Sequence, residues 1–289
     1  MKRGICICVV FVVVALASYR HKERQNDGFA IEKTASIIPN SSEWELPQNP
    51  DTIRPLLDQP FYYLGRGLQA YAFESADGLY VLKLMRHQRL QLHWIVARLP
   101  DFCTHREQVQ CDKRVGYLFR SLKVAFLDVP EETGLLCVHL NKSPNSYGDV
   151  AIYDKQGACY MVSLDSTEFV LQKKALLVKP LITELMSQGK TDEAQKRIAQ
   201  IFELLRACAK KGVCDTDGSL IRKNNLGFLP DRAIYIDTGK LTRKESMKNK
   251  ERFIQDLKRL EPLHAWLQER YPELAGYFEE RQKVTIAQF

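Results

Sequence analysis

The sequence has little of what several common binding and catalytic sites require. Its eight cysteines form no C-x-x-C pair, and its six histidines show no ligand spacing beside paired cysteines, which argues against a structural zinc site. It contains no G-x4-G-K-[ST] run and no G-x-S-x-G elbow, which excludes a P-loop and a serine hydrolase of that type. The net charge of +7 is modest, and its basic residues are not interleaved with aromatic ones, so no nucleic-acid surface is predicted.

A long hydrophobic run of membrane-spanning length is also missing. Residues 5–17 are apolar and follow Lys2 and Arg3, but a spanning helix needs about 20 residues and a signal-peptide core only about 7–15. The run ends in the small residues Ala15-Leu16-Ala17. Residues 1–18 are therefore predicted to be a signal peptide or, alternatively, an uncleaved membrane anchor. The protein is expected to be secreted or membrane-anchored, with the membrane as a partner if the segment stays.

Six further cysteines follow that segment, an even number that permits disulfides behind a signal peptide. Buried free thiols are the alternative, because six cysteines in the rest of the chain do not make a disulfide-dense scaffold.

Composition divides the remaining chain into three parts. Residues 19–58 are polar and rich in proline, which is typical of a linker. Residues 59–174 contain strand-like runs and one helical pattern, predicted over 103–126. Residues 175–289 are mostly helical in spacing, apart from a loop and a hairpin between residues 213 and 236. The predicted fold class is α+β, with an N-terminal antiparallel sheet plus one helix and a mostly helical C-terminal part.

Five features that could carry chemistry occur in a definite order. Gly65 and Gly67 lie between two predicted strands, where backbone N–H groups can approach phosphates because no side chain intervenes. Lys83 ends the apolar run of the third strand, and Glu107 lies on the predicted helix, where a carboxylate could orient the lysine. A polar loop and an Asp-x-Gly turn follow, and they hold two groups of side chains: the candidate bases Asp217 and Asp215, and the oxygen ligands Asn225, Asn224 and Asp237.

This order resembles that of the protein-kinase-like fold. Residues 65–72 are similar to the kinase Gly-rich loop, with Ala70 at the third glycine position, and Val81-Leu82-Lys83 is similar to the strand motif that carries the phosphate-binding lysine. Asp237-Thr238-Gly239 resembles the Asp-Phe-Gly motif. The histidine and arginine that usually precede the catalytic aspartate are absent, and the loop from Thr216 to Asn225 is closer to that of atypical, HipA-like kinases.

The resemblance implies a two-lobed fold, with residues 59–174 as the N-lobe and 175–289 as the C-lobe. It implies ATP and magnesium as cofactors and a protein or small-molecule hydroxyl as phosphate acceptor. In that assignment Gly65, Gly67, Ala70 and Lys83 bind the nucleotide, Glu107 orients the lysine, Asp217 (or Asp215) is the base, and Asn225 (or Asn224) holds the metal with Asp237.

Two alternatives stay open on the sequence. A pseudokinase would keep the fold as an exported or membrane-tethered binding module without phosphotransfer, and the altered catalytic loop favours it. An unrelated α+β surface protein would bind no nucleotide. In that case Gly65 and Gly67 are plain turn residues, and Asp237-Thr238-Gly239 is a turn at a strand end.

Overall fold

The computed structural model describes residues 25–36, 38–87, 90, 101–218, 220–221 and 224–289, except for the side chains of residues 101–104. The predicted signal peptide or anchor, residues 1–18, lies outside these ranges. Among the described residues, no helix combines the length and the apolar character needed to cross a membrane.

The chain is α+β, as the sequence predicts. The α-helices described are α1 (Pro50–Leu57), α2 (Asp101–Leu127), α3 (Pro130–Thr133), α4 (Val178–Ser187), α5 (Thr191–Lys210), α6 (Lys250–Leu257), α7 (Glu261–Arg270) and α8 (Pro272–Gln288). The strands described are β1 (Phe61–Arg66), β2 (Ala70–Ser75), β3 (Tyr80–Met85), β4 (Leu135–His139), β5 (Asp149–Tyr153), β6 (Cys159–Ser163), β7 (Phe169–Lys173), β8 (Leu176–Leu177), β9 (Val213–Asp215), β10 (Leu226–Phe228), β11 (Ala233–Tyr235) and β12 (Leu241–Arg243).

The three predicted strands of residues 61–85 are confirmed, and they pair as an antiparallel meander. The turn between β2 and β3 forms where Asp77-Gly78 predicts it. Gly78 has a φ of 71°, and the Asp77 carboxylate accepts hydrogen bonds from the Ser75 hydroxyl and the Leu79 N–H. A glycine fits this turn because its left-handed backbone is strained for a residue with a Cβ.

The main sheet differs from the prediction in one respect, because it is mixed and not antiparallel throughout. Its seven strands have the order β4-β7-β3-β2-β1-β5-β6. The β5–β6 hairpin adds to the free edge of β1, and β5 runs parallel to β1, with Tyr62 opposite Tyr153. Strand patterns in the sequence give pairing only for neighbours joined by a short turn, so this long-range parallel pairing left no local signal.

The chain forms two compact units. The first lies within Met1–Cys111 and His139–Phe169, and the second comprises Asp112–Val138 and Val170–Phe289. The predicted N-lobe, residues 59–174, thus contributes most of α2, all of α3 and most of β4 and β7 to the second unit. Gly65, Gly67, Lys83 and Glu107 belong to the first unit, and the loop and Asp-x-Gly residues belong to the second.

Residues 25–36 and 38–58, which belong to the predicted linker 19–58, pack against the rest of the first unit. Phe29 is buried, with its ring 5.1–6.2 Å from those of Tyr63, Tyr71, Phe73 and Tyr160. Ser41 and Asn141 exchange two hydrogen bonds of 2.9 and 3.0 Å. The apolar residues that anchor this segment stand far apart in a polar sequence, so its composition resembles that of a linker although its contacts do not. We call residues 25–58 the N-terminal strap.

The second unit is built around α5. Its apolar face was predicted from the sequence, and the residues of that face are all buried: Ile198, Ile201, Phe202, Leu205 and Ala209. Phe202 meets Phe278 of α8 at 4.9 Å between ring centroids. The predicted helical stretch 175–211 is divided in two at Gly189, whose φ of 69° ends α4.

Candidate functional site

The residues predicted to bind nucleotide in the first unit lie on adjacent strands. Gly65 is opposite Ala72, and Ala72 is opposite Lys83, so the three positions form one row across β1, β2 and β3. Directly opposed residues point to the same face of a sheet. A Cβ added to Gly65 would meet nothing within 4 Å, and the side chain of Ala72 is one methyl group. Gly65 and Ala72 therefore carry no bulky side chain on the face of the sheet that the half-buried Lys83 shares.

Gly65 differs from its predicted place, because it lies within β1 and not in the turn. β1 runs to Arg66, and its pairing with β2 has a register irregularity between Tyr63 and Gly65. Gly67 is in the turn, but its N–H donates to the carbonyl of Ala70 over 2.8 Å. That N–H is thus already hydrogen-bonded within the hairpin, so it does not add to the backbone donors that could bind a phosphate.

Arg86 holds this turn in place, although no motif in the sequence points to it. Its side chain is buried, and one guanidinium nitrogen donates to the Gly67 carbonyl over 2.7 Å. The guanidinium lies over the Tyr71 ring at 5.1 Å, and the Tyr71 hydroxyl donates to the Gly28 carbonyl of the N-terminal strap. The glycine turn is therefore held in place by an arginine from the end of β3.

Glu107 is exposed on α2. The predicted ion pair between Glu107 and Lys83 stays a prediction.

The second unit brings several predicted residues together. Asp217 is buried, and its Oδ2 accepts a hydrogen bond of 3.4 Å from the side-chain amide of Asn225. The carbonyl of Asn225 in turn accepts from the N–H of Ile236, which directly precedes Asp237. The charges of Asp217 and Asp237 both raise the pKa of Asp215, although less than its burial does. Asp215, Asp217, Asn225 and Asp237 thus form one cluster.

Within that cluster the exposed residue is Asp237, whose Oδ1 accepts from the Gly239 N–H at 3.1 Å. Asn224, the second amide candidate, is exposed and has a φ of 53°, a left-handed turn conformation that asparagine tolerates. Asn225, and not Asn224, contacts Asp217. In the described residues, no group of three or more histidine, cysteine, aspartate or glutamate side chains gathers as a metal site. The Asn225 and Asp237 oxygens suit magnesium only as a partial ligand set that phosphate oxygens complete.

Two basic residues that the sequence analysis did not assign to the site contact the candidate bases. The Lys240 ammonium lies 3.2 Å from Oδ2 of Asp217. Arg259 pairs with the carboxylates of Asp215 and Asp256, and it donates to the backbone carbonyls of Asp215 and Asp217. Lys240 follows Asp237 by three residues, which is a usable signal. Arg259 is 42 residues or more from the loop it holds, so no local pattern reveals it.

Asp215 is a positioning residue in this arrangement. Its side chain is 1% exposed, and its Oδ1 accepts from the N–H of Asp217 at 2.8 Å. Burial raises the pKa of Asp215 to about 6, against the opposing effects of the Asp217 N–H and of Arg259. The geometry favours Asp217 over Asp215 as the group that meets a substrate, because Asp215 is enclosed by its own loop and Arg259.

A short two-stranded sheet joins the loop to the Asp-x-Gly turn. β9 ends at Asp215 and pairs with β12, with Leu241 opposite Asp215. The N–H of Thr216 donates to the carbonyl of Lys240 at 3.0 Å, and the Tyr117 and Thr216 hydroxyls are 2.6 Å apart. The position of Lys240 beside Asp217 therefore follows from strand pairing and not from a flexible side chain alone.

Comparison with known proteins gives a limited result. No protein-family model and no curated protein matches the chain. Among solved structures, the medium-resolution structure of the bifunctional kinase-methyltransferase WbdD matches with a TM-score of 0.37 and 16% identity, over 76% of this chain and 47% of that one. A 2.2 Å crystal structure of WbdD gives the same score and identity over 76% and 48%. A WbdD co-crystal with the kinase inhibitor LY294002 gives 0.34 and 15% over 75% and 44%.

The chain spans about half the length of these structures. At such scores the likeness carries no information about the site.

Proposed function

We propose that the chain is an ATP- and magnesium-dependent phosphotransferase of an atypical kinase-like type, acting on a hydroxyl of a protein or small molecule. One observation carries the proposal: the loop residues Asp217 and Asn225 converge with Asp237 in the second unit. These three side chains are the ones that the kinase resemblance assigns to proton transfer and metal binding. They converge although 20 residues separate Asp217 from Asp237 in the sequence.

Each residue has a defined task in this reaction. The substrate hydroxyl oxygen attacks the γ-phosphorus of ATP, the bond to the bridging oxygen of ADP breaks, and Asp217 takes the hydroxyl proton. Asn225 and Asp237 would hold magnesium, which supplies positive charge to the phosphate oxygens. In the first unit, Gly65, Gly67, Ala70 and Lys83 keep their predicted role in nucleotide binding.

Lys240, which the sequence analysis did not assign to the site, adds a basic group to it. Its ammonium, 3.2 Å from the Asp217 carboxylate and about one third exposed, adds a positive charge where the transferred phosphoryl group would develop negative charge. In kinases a basic residue usually precedes the catalytic aspartate, and Asp217 has no such residue directly before it. Lys240 reaches the Asp217 carboxylate from the other side of the β9–β12 pair.

The test is calorimetric titration of the full chain with ATP, with and without magnesium. We expect magnesium-dependent binding that Asp237→Ala weakens by at least about tenfold, or ~1.4 kcal/mol. Asp231→Ala is the matched control, because Asp231 is exposed in the β10–β11 turn and its carboxylate pairs with the neighbouring, partly exposed Arg232. Absence of ATP binding by the folded wild-type chain would reject the proposal.

A second candidate function is nucleotide binding without transfer, as in a pseudokinase. The observation in its favour is the same Lys240–Asp217 pair, because a carboxylate neutralised by an ammonium is a weaker proton acceptor. Hydrolysis and self-phosphorylation assays with labelled ATP separate the two. If the chain is an enzyme, Asp217→Asn lowers turnover by roughly 10²–10⁴-fold while ATP binding remains. If it is a pseudokinase, the wild-type chain binds ATP but neither hydrolyses it nor transfers its phosphate.

A further inference from the structure

One side of α2 in the second unit contacts both the polar loop and the Asp-x-Gly turn. Tyr117 and Ser121 are four residues apart, which puts their side chains on the same side of a helix. The Tyr117 hydroxyl lies 2.6 Å from the Thr216 hydroxyl, and the Ser121 hydroxyl donates to the Thr238 carbonyl over 2.8 Å. These two partners are the residues next to the candidate base and to the candidate metal ligand Asp237.

The contact of Tyr117 has a defined direction. The Thr216 hydroxyl has one proton, and it donates that proton to the Lys240 carbonyl over 3.0 Å. The Tyr117 hydroxyl must therefore donate to the Thr216 oxygen. This chain of hydrogen bonds ties α2 to the loop and ends at the backbone of Lys240, so it holds the loop side of the site. The turn side is held by Ser121.

Ser121 fixes one peptide group of the turn. Ser121 and Thr238 are each 3% exposed, and 117 positions separate them in the sequence. A serine inside a helix commonly bonds the carbonyl four residues before it, but the proton of Ser121 goes to the turn. Because a buried carbonyl without a donor is unfavourable, this bond sets the direction of the Thr238 carbonyl.

The same peptide group carries the N–H that holds Asp237. The Thr238 carbonyl and the Gly239 N–H belong to one planar, trans peptide, so they point in opposite directions. The Gly239 N–H donates to Oδ1 of Asp237 at 3.1 Å. The direction that Ser121 gives to the carbonyl therefore also sets the direction of the N–H, and with it that of the carboxylate.

The backbone before Asp237 is fixed by other contacts. The N–H of Ile236 donates to the Asn225 carbonyl over 2.7 Å, and the buried side-chain amide of Gln172 donates to the Tyr235 carbonyl over 2.8 Å. These bonds hold the chain up to residue 236. The orientation of the peptide group that follows Asp237 is thus the part of the turn that the α2 serine controls.

We propose that Ser121 is a positioning residue for the magnesium ligand Asp237, acting through the peptide group between Thr238 and Gly239. The inference rests on the proposed function, because it concerns the same metal site. Asp237 is exposed, so its carboxylate is free to rotate in solvent once the Gly239 N–H turns away. Loss of a hydrogen bond that orients a ligand weakens metal binding, although the ligand itself is still present.

The test compares ATP binding in magnesium and in EDTA, by calorimetry, for the full chain and its variants. Ser121→Ala removes the hydroxyl. Ser121→Thr and Ser121→Val are a matched pair of similar shape, since only threonine keeps the hydroxyl. Thr285→Val on α8 is the control, because Thr285 is also fully buried and its hydroxyl donates to the Arg281 carbonyl of its own helix over 2.8 Å. Urea midpoints verify that each variant folds.

We expect Ser121→Ala and Ser121→Val to weaken ATP binding in magnesium about tenfold, and to leave binding in EDTA unchanged. Ser121→Thr and Thr285→Val should bind ATP as the wild-type chain does. In a chain that already carries Asp237→Ala, the change Ser121→Ala should cause no further loss, because the carboxylate through which it acts is gone.

Four results would overturn the inference. Wild-type magnesium dependence in Ser121→Ala, at any urea midpoint, shows that the hydroxyl serves stability alone. An equal loss in Thr285→Val attributes the effect to any missing buried hydrogen bond. A loss in Ser121→Thr as large as that in Ser121→Val attributes it to packing. Additive losses in the double variant show that Ser121 does not act through Asp237.

Failure of the proposed function gives a different result. The folded wild-type chain itself then shows no magnesium-dependent ATP binding, which rejects the metal site and this inference together.

Discussion

The buried Asp215 carboxyl group binds its proton more strongly in the folded protein than in the unfolded one. Its side chain is surrounded by its own loop and by Arg259, and burial raises its pKa to about 6. An unfolded aspartate has a pKa of about 3.9. The folded state therefore holds a proton on Asp215 at pH values where the unfolded state has released it.

This difference makes stability depend on pH between about 4 and 6. The contribution of the protonated Asp215 is complete below pH ~4 and is lost as the pH rises through the folded pKa, with a total of ~3 kcal/mol for a shift of two units. Urea unfolding at a series of pH values measures it. Asp215→Asn should flatten the profile over this range. An unchanged slope in the variant would show that other groups cause the dependence.

Arg259 and Arg243 make a matched pair for testing burial. Arg259 is mostly buried and bonds two backbone carbonyls as well as Asp215, whereas Arg243 is 65% exposed and pairs with Asp128. Arg259→Met should cost roughly 3–5 kcal/mol of unfolding free energy, because it leaves a buried carboxylate and carbonyls without a partner. Arg243→Met should cost less than about 1 kcal/mol. Comparable losses for the two variants in urea unfolding would contradict the assigned role of Arg259.

Among these residues, the sequence predicts the members of the loop and turn cluster better than the basic residues that hold them. Asp217, Asn225 and Asp237 stand in short polar motifs whose spacing suggests a shared site. Lys240 and Arg259 become part of it only through strand pairing and through a helix distant in sequence. Contacts of that separation depend on the tertiary structure, which no local pattern encodes.

Among the elements, two strand glycines have opposite surroundings. A Cβ on Gly227 of β10 would lie 2.8 Å from the Leu176 carbonyl oxygen and 2.6 Å from Ile236, whereas a Cβ on Gly65 of β1 meets nothing within 4 Å. Gly227→Ala should destabilise the protein by about 1–3 kcal/mol or more, because the neighbouring backbone cannot yield easily. Gly65→Ala should change stability by less than about 1 kcal/mol.

Thermal and urea unfolding of both variants test this contrast, and equal destabilisation would be inconsistent with it. Under the proposed function Gly65→Ala has a second effect, since its methyl group enters the open space beside Ala72, on the face of the sheet that carries Lys83. It should weaken ATP binding in the calorimeter while leaving the urea midpoint nearly unchanged.

The sequence correctly predicts those elements that depend on a short local pattern of residues. The β2–β3 hairpin follows from Asp77-Gly78, and α5 follows from the spacing of its apolar face. The N-terminal strap and the parallel β1–β5 pairing were missed. Both depend on contacts between residues that are distant in sequence, such as the hydrogen bonds between Ser41 and Asn141.

The sequence alone does not decide whether the cysteines of this protein form disulfides. Cys111, Cys137, Cys159, Cys208 and Cys214 are free thiols, which agrees with the alternative of buried thiols for four of them. Burial raises the pKa of the Cys208 and Cys214 thiols, which keeps them in the unreactive protonated form.

We therefore expect the melting temperature to be the same with and without dithiothreitol. Under native conditions alkylation should occur at Cys159, and the four buried thiols should react only when the chain unfolds. A decrease of more than a few degrees on reduction, where 1 kcal/mol corresponds to roughly 2–4 °C for a chain of this size, would indicate a stabilising disulfide.

The contacts of the strap also determine when this segment can fold during synthesis of the chain. Ser36 bonds Glu168, which is 132 residues further along, so the strap cannot complete its contacts until that residue has left the ribosome. At about 5–20 residues per second this delay is roughly 7–26 s. During that interval Phe29 and Trp44 have no finished core to enter, and the apolar residues 5–17 emerge ahead of everything that later anchors residue 26. Targeting factors and chaperones that act on a nascent chain thus meet the leading segment before the first unit closes over the strap.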